Sequence, residues 1–328
     1  MAEFNTYKKN RTNEIISKYT SVAIKSLDKY TQLIAKVFNI MELNKLHDNI
    51  SNLIQSCEND YKDLRQKIEA DIENIRMPSE ININGGTKKA LLVGINYTGT
   101  NSQLAGCIND AKNISEKLVE SGFQPTNIMT LTDDTLDNLP TEANIIEQFT
   151  KLLKDATDGD FIMFTFSGHG AQIEDTNFDE TDFKDEVFIG IDGGLIIDGH
   201  IKNIINHHMK PGVTLLMLFD CCHSGTIGDL KYNYMSYSEN YKYTETKGDV
   251  ILISGCRDDQ TSADAYIDQQ SQGAMTYAFL DTLSKDKNIT WRQLIQNMHK
   301  TLVTGRYKQI PKLSSGKFIN IDTKFMLA

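Results

Sequence analysis

The stretch Val213-Thr-Leu-Leu-Met-Leu-Phe-Asp-Cys-Cys-His-Ser-Gly225 decides the fold. From Val213 to Phe219 no charge interrupts it. A half-exposed strand would alternate polar and apolar residues; a strand covered on both faces does not. The run is therefore read as a central strand of a parallel sheet. It stops at Asp220, and Cys221, Cys222, His223, Ser224 and Gly225 follow. In open α/β sheets, ligands bind beyond the carboxyl ends of the strands. An abrupt change there from apolar to nucleophilic residues marks a candidate site.

A second stretch has the same form. Asp160-Phe-Ile-Met-Phe-Thr-Phe-Ser-Gly-His-Gly170 is an apolar run that ends in Ser167, Gly168, His169 and Gly170. A thiol attacks only as thiolate, so a catalytic Cys needs a base within hydrogen-bond reach. His169 on one strand end and Cys222 on another supply that pair, 53 residues apart. Caspase-type cysteine proteases carry their His roughly 50 residues before their Cys. His223 is the rival base, but neighbours in an extended chain point to opposite faces. The same alternation puts Asp220 and Cys222 on one face and Cys221 on the other, among the apolar residues. A carboxylate beside a nucleophilic thiol raises the thiol pKa. It is a handicap unless it meets a substrate cation, or unless Asp220 is a structural group satisfied by backbone N–H donors.

Outward from these two strands, the chain alternates strands and helices. Strands are expected at Ala90–Ile95, Ile128–Thr132, Phe161–Phe166 and Val250–Ser254, with a last one at Lys317–Ile321. Helices are expected from Leu104 to Gly122, Thr141 to Ala156, a short one to His208, Met275 to Leu283, and Trp291 to Leu302. This pattern specifies a doubly wound α/β domain. Glu174 to Asp192 reads as a long acidic loop, and Asp229 to Gly248 as a mobile, Tyr-rich one. Residues 1–77 contain neither Gly nor Pro. They read as two long helices in a hairpin, the second with a seam of Ile50, Ile54, Cys57, Tyr61, Leu64 and Ile68. The expected division is a helical region with its linker over 1–84 and a catalytic domain over 85–328. The helices are expected to pack on that domain, or to serve as a regulatory or oligomerising segment of an otherwise monomeric protein.

With 328 residues, 40% of them hydrophobic, the chain can bury a large core. Its formal charge of −10 and lack of a basic block argue against nucleic-acid partners and favour basic substrates or cations. The five cysteines are scattered, with neither a disulfide framework nor zinc-ligand spacing. Residues 1–30 are charged throughout, so neither a signal peptide nor a membrane span is expected, and a reducing, cytoplasmic setting is.

Ser167-Gly-His-Gly170 together with Asp220-Cys-Cys-His-Ser-Gly225 resembles a type I metacaspase, a caspase-related cysteine peptidase. Gly106-Cys-Ile-Asn-Asp110, Ile253-Ser-Gly-Cys256, Gln260-Thr-Ser-Ala-Asp264 and Gln309-Ile-Pro-Lys-Leu313 follow the family's order. The resemblance spans about Lys89 to Ala328; residues 1–84 lack the Pro/Gln-rich prodomain of many members. It implies a caspase-like three-layer αβα sandwich around a mostly parallel sheet, and an endopeptidase that cleaves after Arg or Lys. It implies His169 and Cys222 as the dyad, with Cys107, Asp110, Ser167 and Asp220 shaping an acidic S1 pocket. Backbone N–H groups near Gly170 and Cys222 would be oxyanion donors. It also implies calcium activation through Asp185, Asp198 and Asp229. The family's next acidic position after Asp198 is Gly199 here, so weak calcium binding is expected. Self-processing at a basic residue is expected at Arg76, Lys88, Lys89, Lys231, Lys242 or Lys247. The alternatives are a non-catalytic caspase-fold scaffold that binds partners through its N-terminal helices, and a related peptidase with another P1 residue.

Overall fold

The computed structural model describes residues 2–38, 43–73, 85–174, 184–221, 230–234, 238–239, 243–256, 264–267, 270–286, 288–325 and 327. It divides into two compact units, Met1–Met77 and Pro78–Ala328.

The first unit is a helical hairpin of α1 (Ala2–Phe38) and α2 (Leu43–Glu73). The Tyr30 hydroxyl of α1 donates to Asp60 Oδ2 of α2 at 2.6 Å and lies 3.0 Å from Ser56 Oγ. The buried side of α2 departs from the expected seam. Leu53, Cys57, Leu64 and Ile68 are half-buried, while Ile54 and Tyr61 are exposed.

In the second unit, β1 (Lys88–Gly94), α3 (Cys107–Glu120), β2 (Ile128–Thr132), α4 (Glu142–Lys154) and β3 (Phe161–Ser167) come first. β4 (Gly170–Glu174), β5 (Lys184–Ile189), β6 (Leu195–Ile197), α5 (Asp198–His208) and β7 (Thr214–Asp220) follow. Then come β8 (Tyr232–Asn233), β9 (Ser238–Glu239), β10 (Asp249–Cys256), β11 (Asp264–Ile267) and β12 (Gln270–Gly273). The last elements are α6 (Ala274–Lys285), α7 (Trp291–Thr304) and β13 (Ile310–Ser315).

Among the described residues, the main sheet has eight strands in the order β2-β1-β3-β7-β10-β13-β8-β9, parallel from β2 to β10 and antiparallel beyond. β7 lies near its centre, and all of its residues are buried. Period-two alternation sends its side chains to two cores. Leu216 and Leu218 join α3, α6 and α7 on one face; Leu215, Met217, Phe219 and Cys221 join α4 and α5 on the other. The result is the expected three-layer, caspase-like sandwich.

Three expectations change. The acidic stretch 174–192 contains β5, paired antiparallel with β4 and β6. Its charges hide Val187 and Phe188, which are fully enclosed. Phe188 packs 4.8 Å from the Phe166 ring and 5.5 Å from Phe219. Such aromatic pairs add about 0.5–1.5 kcal/mol each beyond burial, and they fasten this hairpin beside the ends of β3 and β7. The stretch 229–248 is not all loop: β8 adds to the sheet edge. Tyr234 is buried, with its hydroxyl 2.9 Å from Ser315 Oγ and accepting from Ile319 N at 2.8 Å. The last strand is β13, not Lys317–Ile321, because Ile310–Ser315 pairs along β10 with Pro311 opposite Gly255.

Candidate active site

β3 and β7 run side by side with Ser167 opposite Asp220. His169 follows Ser167 by two residues, and Cys222 follows Asp220 by two. The strand pairing thus places His169 just beyond the end of β3, next to the end of β7, which Cys222 follows in sequence. Cys222 itself, His223 and Asp229 lie outside the described residues.

His169 is held from several sides. Its Nε2 lies 2.7 Å from the Ser102 carbonyl. A carbonyl oxygen only accepts, so Nε2 carries the hydrogen, and Nδ1 holds the basic lone pair of the neutral ring. The ring lies 4.6 Å from that of Tyr97. Ser102 belongs to the loop after β1, which sequence reading left without a role. That loop is anchored at Asn96, whose Oδ1 accepts from Cys107 N at 2.9 Å and Ile108 N at 3.3 Å. These are the opening amides of α3.

Two buried carboxylates stand beside this pair of strands. Asp110, on the first turn of α3, accepts from Ser167 Oγ at 2.6 Å and from Gly273 N at 2.8 Å. Asp220 accepts from Thr276 N at 2.9 Å and from Gln309 Nε2 at 3.2 Å. Gly273 is the N-cap of α6, and Thr276 lies in its first turn. Both carboxylates therefore face the positive end of a helix, where anions are stabilised. The donors named here are uncharged: a hydroxyl, a side-chain amide and two backbone N–H groups. A Cβ on Gly273 would overlap Asp220 Oδ2 and stand 2.6 Å from Asp110 Oδ2. Glycine is needed where the two acids converge. Sequence reading gives Gly273 no role, and Gln309 only a place within a family motif; they reach Asp110 and Asp220 respectively only through the closed fold.

Of the other expected S1 residues, Ser167 is buried and bonds Asp110. Cys107 is buried in the apolar cluster that also holds Tyr97 and Cys221, on the α4/α5 face. Among the expected calcium ligands, Asp198 is buried at the start of α5, with Oδ1 accepting from Gly199 N at 2.8 Å. Asp185 lies on β5, but its side chain is outside the described residues. Glu186 beside it is buried, and the register Val187 to Ile197 makes Glu186 and Asp198 the next residues along facing strands. Among the described residues, no group of three His, Cys, Asp or Glu is placed to hold a metal. No described helix is long and apolar enough to cross a membrane.

Residues 88–231 match the family profile of the metacaspase, peptidase C14 domain. Metacaspase-1 of Lodderomyces elongisporus is 36% identical over 303 residues, covering 74% of this chain and 67% of that protein. Metacaspase-1 of Saccharomyces cerevisiae is 36% identical over 300 residues, covering 74% and 69%. The crystal structure of a protein from Geobacter sulfurreducens aligns with a TM-score of 0.53 at 25% identity, over 70% of this chain and 93% of that one. Identity of this level across two thirds of the relatives' length places the chain in the metacaspase family, as a cysteine-type endopeptidase acting on protein substrates.

Proposed function

We propose that this endopeptidase cleaves after Arg or Lys, with Cys222 as nucleophile, His169 as base, and calcium as activator. The observation that carries the specificity is the convergence of Asp110 and Asp220 on Gly273 beside the ends of β3 and β7. A P1 guanidinium or ammonium entering there would meet two converging carboxylates, and a P1 Asp would meet like charge. His169 Nδ1 takes the thiol proton as Cys222 attacks the scissile carbonyl, and returns it to the leaving amine. The Nε2 hydrogen bond to Ser102 keeps the imidazolium oriented between the two transfers.

Calcium favours hard oxygen donors, and buried Asp198 is such a donor. With Asp185 and Asp229 it would hold the ion; Glu186 is a further buried carboxylate at the same strand end. When bound, calcium would supply the charge that orders the segment after Cys222, since Asp229 lies seven residues beyond it.

Self-cleavage fits some expected positions better than others. Lys88 and Lys89 lie in β1, paired with Phe161 and Ile162, so their peptide bonds are locked in the sheet. Lys247 is exposed ahead of β10, and Arg76 and Lys242 lie outside the described residues.

The deciding experiment is hydrolysis of peptides scanned at P1 across a calcium titration, with intact mass followed in parallel and Cys222→Ala as control. Arg/Lys turnover that rises with calcium, with no cut at Lys88 or Lys89, is expected. Preference for P1 Asp, or full activity in excess chelator, would refute the specificity or the calcium reading respectively.

A further inference from the structure

Tyr97 has a backbone conformation that side chains other than glycine rarely adopt, with φ of 51°. The conformation is held from both sides. Asp133 accepts from Asn96 N at 2.7 Å and from Thr98 N at 2.9 Å. Its consequence is to bury the Tyr97 ring against His169. The hydroxyl accepts from His169 N at 2.9 Å and donates to Ile189 O at 2.7 Å. Ile189 N in turn donates to His169 O at 3.1 Å. These three bonds close a ring joining the His169 backbone, the end of β5 and one phenol. A Cβ on Gly168 would stand 2.9 Å from that hydroxyl, so the glycine keeps the space open.

The backbone of Tyr97 reaches the same imidazole by a second route. Its carbonyl accepts from Thr100 N at 3.1 Å and from Thr100 Oγ1 at 2.8 Å. Thr100 Oγ1 accepts from Ser102 N at 3.2 Å. Ser102 then presents the carbonyl that receives His169 Nε2–H.

We infer that Tyr97 is a positioning residue for catalysis. Its hydroxyl fixes the His169 main chain to the end of β5, and its own main chain fixes the carbonyl that orients the imidazole. Burial raises the phenol pKa far above its ordinary value, so the hydroxyl stays a donor throughout the working range. Because β5 pairs with β6, which runs directly into Asp198, this phenol also ties the base to the strand pair carrying the proposed calcium ligands. The inference rests on reading His169 as the general base.

Tyr97→Phe keeps the ring and deletes the hydroxyl. Small displacements of a catalytic group cost up to about a hundredfold. We expect kcat on an Arg reporter to fall about tenfold or more, with KM changed less than about twofold. The second readout is the pH dependence of Cys222 alkylation by iodoacetamide. It should move in Tyr97→Phe toward that of an unassisted thiol, near about 8.5. His169→Ala marks that limit. If His169→Ala leaves both turnover and alkylation unchanged, the general-base reading falls. If His169→Ala is inactive but Tyr97→Phe keeps the wild-type kcat, or loses kcat with a wild-type alkylation profile, only the positioning role is overturned. Should Tyr97→Phe fail to fold, Gly168→Ala crowds the same hydroxyl and must give the same two changes; wild-type behaviour there would overturn the inference.

Discussion

Asp220 shows how a single residue can answer two demands. It satisfies the first turn of α6 through Thr276 N, and it points a second oxygen at Gln309. It is thus a backbone-satisfied structural acid, and under the proposed specificity it would also be one of the two acids that meet a substrate cation. Removing one partner of a desolvated charge pair costs about 2–5 kcal/mol, so Asp220→Asn should lower kcat/KM on an Arg reporter by tens-fold or more. The amide keeps an acceptor for Thr276, so thermal stability should fall much less than activity. Equal loss on a neutral-P1 peptide would show that Asp220 serves the fold alone. The facing of this residue was legible: strict alternation along 213–222 assigns Asp220 and Cys221 to opposite faces, and Cys221 is indeed buried in the α4/α5 core. Ser102 and Gly273 were not legible, and Gln309 was legible only as the start of a family motif, without a role. A backbone carbonyl, an amide and a glycine acquire their roles only from what the closed chain brings against them.

Among the elements, those with long apolar runs were read closely, because burial on both faces leaves one reading. β2 matches residue for residue, and β3 and β7 end where polarity returns. β5 was missed because Lys184, Asp185 and Glu186 mask a short buried core of Val187 and Phe188. β13 was not expected as a strand: its residues were read only as part of a family motif, and the strand carries Pro311, which pairs opposite Gly255. Packing between elements also fixes Gly94 of β1. A Cβ there would overlap the Cys107 backbone and stand 3.0 Å from the Ala111 Cβ, both on α3. Because α3 carries Asp110, spacing between β1 and α3 sets the position of one of the two acids. Gly94→Ala should destabilise the catalytic unit by about 1–3 kcal/mol, as overpacking does, and should lower activity on Arg peptides in the same variant. Urea unfolding beside kinetics tests this; unchanged midpoint and unchanged kcat/KM would mean that α3 moves freely without consequence.

At the scale of the whole molecule, the Gly- and Pro-free run and the linker composition after it put the expected boundary at 84/85, whereas the compact units divide at Met77/Pro78. What sequence could not show is how the catalytic unit closes its N-terminal edge. There Asp160, at the entry to β3, is almost fully enclosed and accepts from Lys89 Nζ at 2.8 Å, Thr87 N at 2.8 Å and Thr157 N at 3.0 Å. One carboxylate thereby joins the starts of β1 and β3 to the turn between α4 and β3. Burial pushes its pKa up, but the Lys89 hydrogen bond and charge, with the two backbone donors, outweigh that and hold it below the ordinary value. A group whose folded pKa is depressed stabilises fully above its unfolded value, about 3.9, and loses that contribution as pH falls through the folded one. Asp160→Asn mimics the protonated acid. It should cost roughly 2–4 kcal/mol near neutral pH, less than a fully buried pair because Lys89 keeps some contact with water. The difference between wild type and variant should narrow below about pH 4 and close once the wild-type acid is protonated. Urea unfolding measured from pH 7 to pH 3 decides the matter. A gap that stays constant across that range would mean that the charge on Asp160 contributes nothing and the hydrogen-bond geometry alone holds the edge.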